Sequence, residues 1–135
     1  MWRVEMLLDR ACPEGGWNAG NAVVYGVPLR PHVDATALAL AALRVHHNLP
    51  IVRDSLTWIL NRIDCPSPYS LAWVILAAAA YKEVRPEVSP ALDVARDRLA
   101  TLADDPPKLQ DTSTIALAAL ALAPETAVNP FEVKT

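Results

Sequence analysis

The sequence predicts an all-α fold of about six helices, arranged as three hairpins that each pair an outer helix with an inner one. Three observations predict it. The chain carries 23 Ala and 18 Leu against 4 Gly in 135 residues, a bias toward strong helix formers. Its 12 prolines divide it into segments, and proline collects at helix ends because it costs about 3 kcal/mol inside one. The segments then alternate between amphipathic and apolar on every side.

Trp2 to Ala11 is a short amphipathic helix, with Met6 and Leu7 set against Arg3, Glu5, Asp9 and Arg10. Ala35 to Val45 follows as an apolar helix behind a capping-type Asp34. From Pro50 to Ile63, Val52, Leu56, Ile59, Leu60 and Ile63 share one face, and Arg53, Asp54, Thr57, Asn61 and Arg62 take the other. Leu71 to Tyr81, after Ser70, is apolar all round. In Ser89 to Ala103 the buried series is Leu92, Ala95, Leu99 and Leu102, with Asp93, Arg96 and Asp97 outward. Ser89 is read as its N-cap and Pro90 as its first helical residue. Ile115 to Ala123 is the third apolar helix, capped by Asp111, Thr112 or Ser113. A helix without a polar face must be buried on most sides.

The predicted pairs span roughly residues 1–46, 50–82 and 87–123 of one domain, 1–126, and 127–135 is read as a tail. The apolar helices start at Asp34, Ser70 and Asp111, spacings of 36 and 41 residues, within the range of helical-repeat proteins. Leu8-Asp9-Arg10-Ala11-Cys12-Pro13 also echoes Leu60-Asn61-Arg62-Ile63-Asp64-Cys65-Pro66. An irregular helical bundle is the alternative arrangement.

Composition narrows the function classes. At 53% hydrophobic and 20% charged, the chain is not a disordered one. A net charge of −3 without a basic stripe argues against nucleic acid as a partner. Cys12 and Cys65 lie outside any C-x-x-C pattern and read as reduced thiols of a cytoplasmic protein. Charge at Arg3 and Glu5 leaves no signal peptide, and the longest apolar run, Leu71 to Tyr81, is far short of the ~20 residues of a membrane span. A soluble protein without a transmembrane segment is expected.

One segment is distinctive: Cys12-Pro13-Glu14-Gly15-Gly16-Trp17-Asn18-Ala19-Gly20-Asn21. With Asp34-Ala35-Thr36-Ala37-Leu38-Ala39-Leu40 it resembles the prenyltransferase and squalene-oxidase repeat of terpenoid cyclases and protein prenyltransferases. Gly15 and Trp17 match that family's Gln-x-x-x-Gly-x-Trp motif, and Ala11 occupies the Gln position. The resemblance implies an α/α-toroid-like half ring, because such toroids use about a dozen helices in two concentric rings and this chain supplies six. An open half ring implies a homodimer, a partner subunit that completes the toroid, or a fragment of a longer protein.

The glycines let the chain turn sharply after the first helix, and Trp17 can lay its ring over a helix end while its N–H finds a polar partner. Asn18 and Asn21 can bond nearby backbone. This segment is either a turn stapling two helices or a ligand contact. Tyr69, Trp73 and Tyr81, at spacings of four and eight, lie on one helical face. They pack against a neighbouring helix or wall a site for an isoprenoid-like chain, whose cations aromatic faces would stabilise. Candidate ligand-binding residues are therefore Trp17, Asn18, Asn21, Tyr69 and Trp73.

No catalytic residue, metal site or cofactor is assigned. The Asp-x-Asp-Asp acid of squalene–hopene-type cyclases is missing, and Asp104-Asp105 reads as a solvated pair. The prenyltransferase zinc set would have to come from Asp34 or Asp64, Cys12 or Cys65, and His32, His46 or His47, whose spacing matches no metal pattern. His46-His47 ends an inner helix, where imidazolium suits the dipole. The function expected is a non-catalytic binding or assembly module. Its apolar concave face would hold a second copy or an isoprenoid-like ligand. The alternative is half of a cyclase- or prenyltransferase-like enzyme, completed by a second chain or domain.

Overall fold

Proline punctuation sets the helix starts in the computed structural model, which describes residues 2–124. The helices are α1 (Trp2–Asp9), α2 (Val33–Ala42), α3 (Pro50–Leu60), α4 (Pro68–Tyr81), α5 (Ser89–Ala103) and α6 (Thr112–Leu122). Pro50, Pro68 and Pro90 occupy first-turn positions, where a missing N–H costs nothing. The fold is all-α apart from one small hairpin. No helix among the described residues is long and apolar enough to cross a membrane.

Several boundaries differ from the sequence reading. α4 begins at Pro68, and its cap is Ser67, whose hydroxyl accepts from the Ser70 amide at 3.3 Å. α2 begins at Val33, so Asp34 lies inside its first turn; His32 is the N-cap residue and lends no side-chain bond. Ser89 is helical because a 3₁₀ turn, Pro86–Val88, leads straight into α5. For α6, Asp111 is the cap: its carboxylate accepts from the Thr114 amide at 2.9 Å and the Thr114 hydroxyl at 2.6 Å. These bonds hold the Asp111 carboxyl below the usual aspartate range.

α4 sits in the middle of a row, packed against α2 on one side and α6 on the other. α3 bridges α2 and α4, and α5 bridges α4 and α6, as a second layer. Val4, Leu7, Leu8 and Ala11, from α1 and the turn after it, pack against the same core. The amphipathic faces point as their spacing requires, with Val52, Leu56, Ile59, Leu92, Ala95 and Leu99 buried. α4 is enclosed by its own chain: Leu71, Ala72, Val74, Ile75, Ala78 and Tyr81 are all buried.

The ends of α2 and α4 satisfy each other. Tyr81 donates to the Leu40 carbonyl at 2.7 Å, and Arg44 Nε donates to the Ala80 carbonyl at 2.7 Å. Each side chain donates to a carbonyl in the last turn of its neighbour helix; the Leu40 carbonyl also accepts from the Leu43 amide at 3.1 Å, so Tyr81 fills its second lone pair. Burial pushes the Tyr81 phenol above its ordinary pKa, against a lowering effect of Arg44. The histidines expected to cap α2 lie beyond it, because α2 stops at Ala42 and Arg44–His46 forms a 3₁₀ turn.

An antiparallel hairpin, β1 (Val23–Val24) and β2 (Val27–Pro28), interrupts the helical order. Tyr25 and Gly26 both have positive φ, 49° and 77°, the geometry that closes a two-residue hairpin. All its side chains are exposed.

Candidate functional site

The distinctive glycine-tryptophan segment is a junction of three helices. Gly15 and Gly16 have φ of +89° and +82°, which residues with a Cβ rarely adopt. The chain closes on itself there, the Cys12 amide bonding the Gly16 carbonyl at 2.8 Å and the Gly15 amide the Cys12 carbonyl at 2.9 Å. Buried hydroxyls take the next two amides: Gly16 N–H donates to Ser55 Oγ of α3 at 2.7 Å, and Trp17 N–H to Thr36 Oγ1 of α2 at 2.9 Å. The Ser55 hydroxyl in turn donates a hydrogen bond to the Ile51 carbonyl at 2.6 Å. A Cβ at Gly16 would lie 2.8 Å from both Pro31 Cβ and Thr36 Oγ1, so glycine is required for space as well as for angle.

Trp17 is 3% exposed, and its indole N–H donates to the Leu7 carbonyl at 2.7 Å. Leu7 O belongs to the last turn of α1, so the ring covers that helix end and fastens it. The partner of this indole is a backbone carbonyl of α1, with Ala11 where the repeat motif has Gln. Asn18 organises the loop beyond: its amide donates to the Asn21 carbonyl at 3.1 Å and to Cys12 Sγ at 3.8 Å, and its Oδ1 accepts from Gly20 N–H at 2.8 Å. Asn21 takes part through its backbone, with its residue exposed.

The five candidate residues divide between two places. Trp17 and Asn18 line an apolar groove of about 380 Å³ that runs between the end of α1, residues 18–20, and the Leu38–Ala42 side of α2. Tyr69 lines a wider polar cleft of about 570 Å³ between the starts of α4 and α6, with Lys108, Gln110 and Asp111. Tyr69 reaches Asp34 of α2 at 3.4 Å and meets Trp73 edge-on, with ring centroids 6.4 Å apart. Trp73 is largely buried in the core. The aromatic face of α4 is therefore turned to α2 through Tyr69 and Tyr81.

The polar cleft offers two helix N-termini, but the Asp111 carboxylate already occupies the end of α6 and the Ser67 hydroxyl that of α4. Lys108 pairs with Asp105 at 3.3 Å. Burial raises the pKa of both Cys12 and Cys65, the opposite of what an activated thiol requires. Among the described residues, no three of His, Cys, Asp and Glu gather where a metal ion could sit.

Two helices leave apolar flanks in solvent. On α6, Ile115, Ala116, Ala119, Leu120 and Leu122 are exposed, Ile115 by 51% and Leu120 by 39%. On α2 and just past it, Leu38, Ala42 and Val45 are exposed in one stripe. No protein-family model matches this chain, and neither the curated proteins nor the solved structures yield a match to it.

Proposed function

We propose that the chain is a non-catalytic assembly module that pairs with a second copy of itself through the exposed flank of α6. The observation that carries the reading is the chemistry of that flank. α6 has no charged residue, and Ile115, Ala116, Ala119, Leu120 and Leu122 line its open side. The outer helices of the same chain expose Arg53, Asp54 and Thr57 on α3, and Asp93 and Asp97 on α5. Terminal elements of helical arrays stay soluble through a polar outer face, which α6 lacks. Ala116 and Ala119 also let a second helix approach within the ~8–10 Å of ordinary helix packing. The order of helices and the repeat-like motif support this reading: two copies would supply the dozen helices of such a toroid, with the α6 pairing as one of the two seams a closed ring needs.

The flank is one helix long. Eleven residues rise about 16 Å, far less surface than the ~800 Å² per partner of a standard stable interface. The pairing is therefore concentration-dependent. Sedimentation velocity over two decades of concentration should show a monomer–dimer equilibrium. Ile115→Glu and Leu120→Glu, at exposed positions, should hold the chain monomeric with its helical circular dichroism unchanged. A wild-type chain that is monomeric throughout, or a dimer indifferent to both substitutions, refutes the proposal.

A further inference from the structure

We infer that the groove beside Trp17 binds an anionic amphiphile, a short alkyl chain ending in a carboxylate, with Arg10 receiving the charged end. This site lies on the α2 edge and does not rest on the pairing of α6. Its volume of about 380 Å³ falls within the ~300–1,000 Å³ of small-molecule sites. Its floor is apolar: Leu7, the Trp17 ring, and Leu38, Ala39 and Ala42 of α2.

The polar groups on the lining decide what the ligand is. The Trp17 N–H is committed to the Leu7 carbonyl, and both donor bonds of the Asn18 amide are spent inside the loop. Arg10 is the one charged residue on the lining, it is exposed, and it makes no ion pair or side-chain hydrogen bond among the described residues. No acidic residue lines the groove to compete with an anion. A ligand matched to this surface is apolar along its length and negatively charged at one end. Leu38, an exposed leucine on the groove's α2 wall, gives the chain a surface to cover.

Calorimetric titration of the full chain with hexanoate, octanoate and decanoate below their micellar limits tests this. Affinity should rise roughly two- to fourfold per methylene, the upper value being full burial of each CH₂. Arg10→Gln should weaken decanoate roughly 1.5- to 5-fold, the range of an exposed ion pair, and leave 1-decanol unchanged. Leu38→Asn should weaken both ligands. Arg10 and Leu38 are exposed, so both variants keep the fold, and circular dichroism verifies it. Absence of decanoate binding, affinity independent of chain length, or an Arg10→Gln variant that binds decanoate as tightly as wild type overturns the inference. Binding confined to anionic vesicles, with none to monomeric decanoate, overturns it as well.

Discussion

Replacing Trp17 separates the two things its side chain does. The ring is 3% exposed. About 200 Å² of buried aromatic surface at ~25 cal/mol per Å² is worth about 5 kcal/mol, an upper bound against a realistic unfolded chain. Trp17→Ala should therefore cost about 3–5 kcal/mol, the range of large-to-small aromatic truncations. Trp17→Phe keeps most of the ring and loses the bond to the Leu7 carbonyl. That carbonyl still accepts from the Arg10 amide at 3.2 Å, so it is not orphaned, and the cost falls to about 1 kcal/mol. Urea unfolding followed by circular dichroism at the helical band measures both, since tryptophan fluorescence would itself change. An alanine variant losing under 1 kcal/mol, or alanine and phenylalanine variants of equal stability, would refute the reading of Trp17 as the fastening between α1 and α2.

Four further expectations follow from the same geometry. Gly16→Ala should lower stability by at least ~2 kcal/mol more than Gly26→Ala: both glycines have positive φ, but only at Gly16 does a Cβ collide. Ser55→Ala leaves the buried Gly16 N–H without an acceptor, and thermal unfolding should register about 1–3 kcal/mol. The folded-state pKa of Asp111 is depressed, so its contribution is present above the unfolded aspartate value, about 4, and is lost as pH falls through the folded value. The drop in urea midpoint on acidification should be smaller in Asp111→Asn, and an unchanged pH profile would contradict the cap. Under native conditions a thiol reagent should modify half-buried Cys65 well before fully buried Cys12, and equal rates would contradict the placement of Cys12.

Periodicity carried the helical skeleton because burial of an amphipathic face is a local property of sequence. Val52, Leu56 and Ile59 face inward as their spacing requires, and so do Leu92, Ala95 and Leu99. What spacing could not distinguish is a central helix from a terminal one. α2, α4 and α6 read alike, apolar on every side, yet among the described residues it is α4 that packs broadly against an apolar helix on both flanks, α2 on one and α6 on the other. The position of Leu38 or Ile115 in solvent depends on which helix comes next in space, a fact written nowhere in its own segment. The α4 start was legible and missed: Pro68 suits a first-turn position, and Ser67 before it is a cap residue. The hairpin was obscured because Tyr25-Gly26 is not the Asn-Gly pair that usually announces such a turn and each strand is two residues long.

The tryptophan segment shows the same limit at the candidate site. Its glycines and its indole announced a sharp turn over a helix end, and that much is local. Its partners are Ser55, 39 residues away from Gly16, and Thr36, 19 from Trp17, polar residues on helices whose pattern alone would send them to the surface. Once placed, they explain why α1 is held at one edge of the row without a long contact of its own. They also divide the molecule by task. The α2 edge is fastened by buried hydrogen bonds and borders a groove, whereas the α6 edge presents exposed apolar side chains. A charge placed on Ile115 or Leu120 should then change association and leave the folding midpoint alone, while loss of Ser55 should do the reverse. Coupling of the two, with Ser55→Ala weakening association as strongly as Leu120→Glu, would mean that the α6 flank is shaped by the junction 60 residues before it and is not an independent surface.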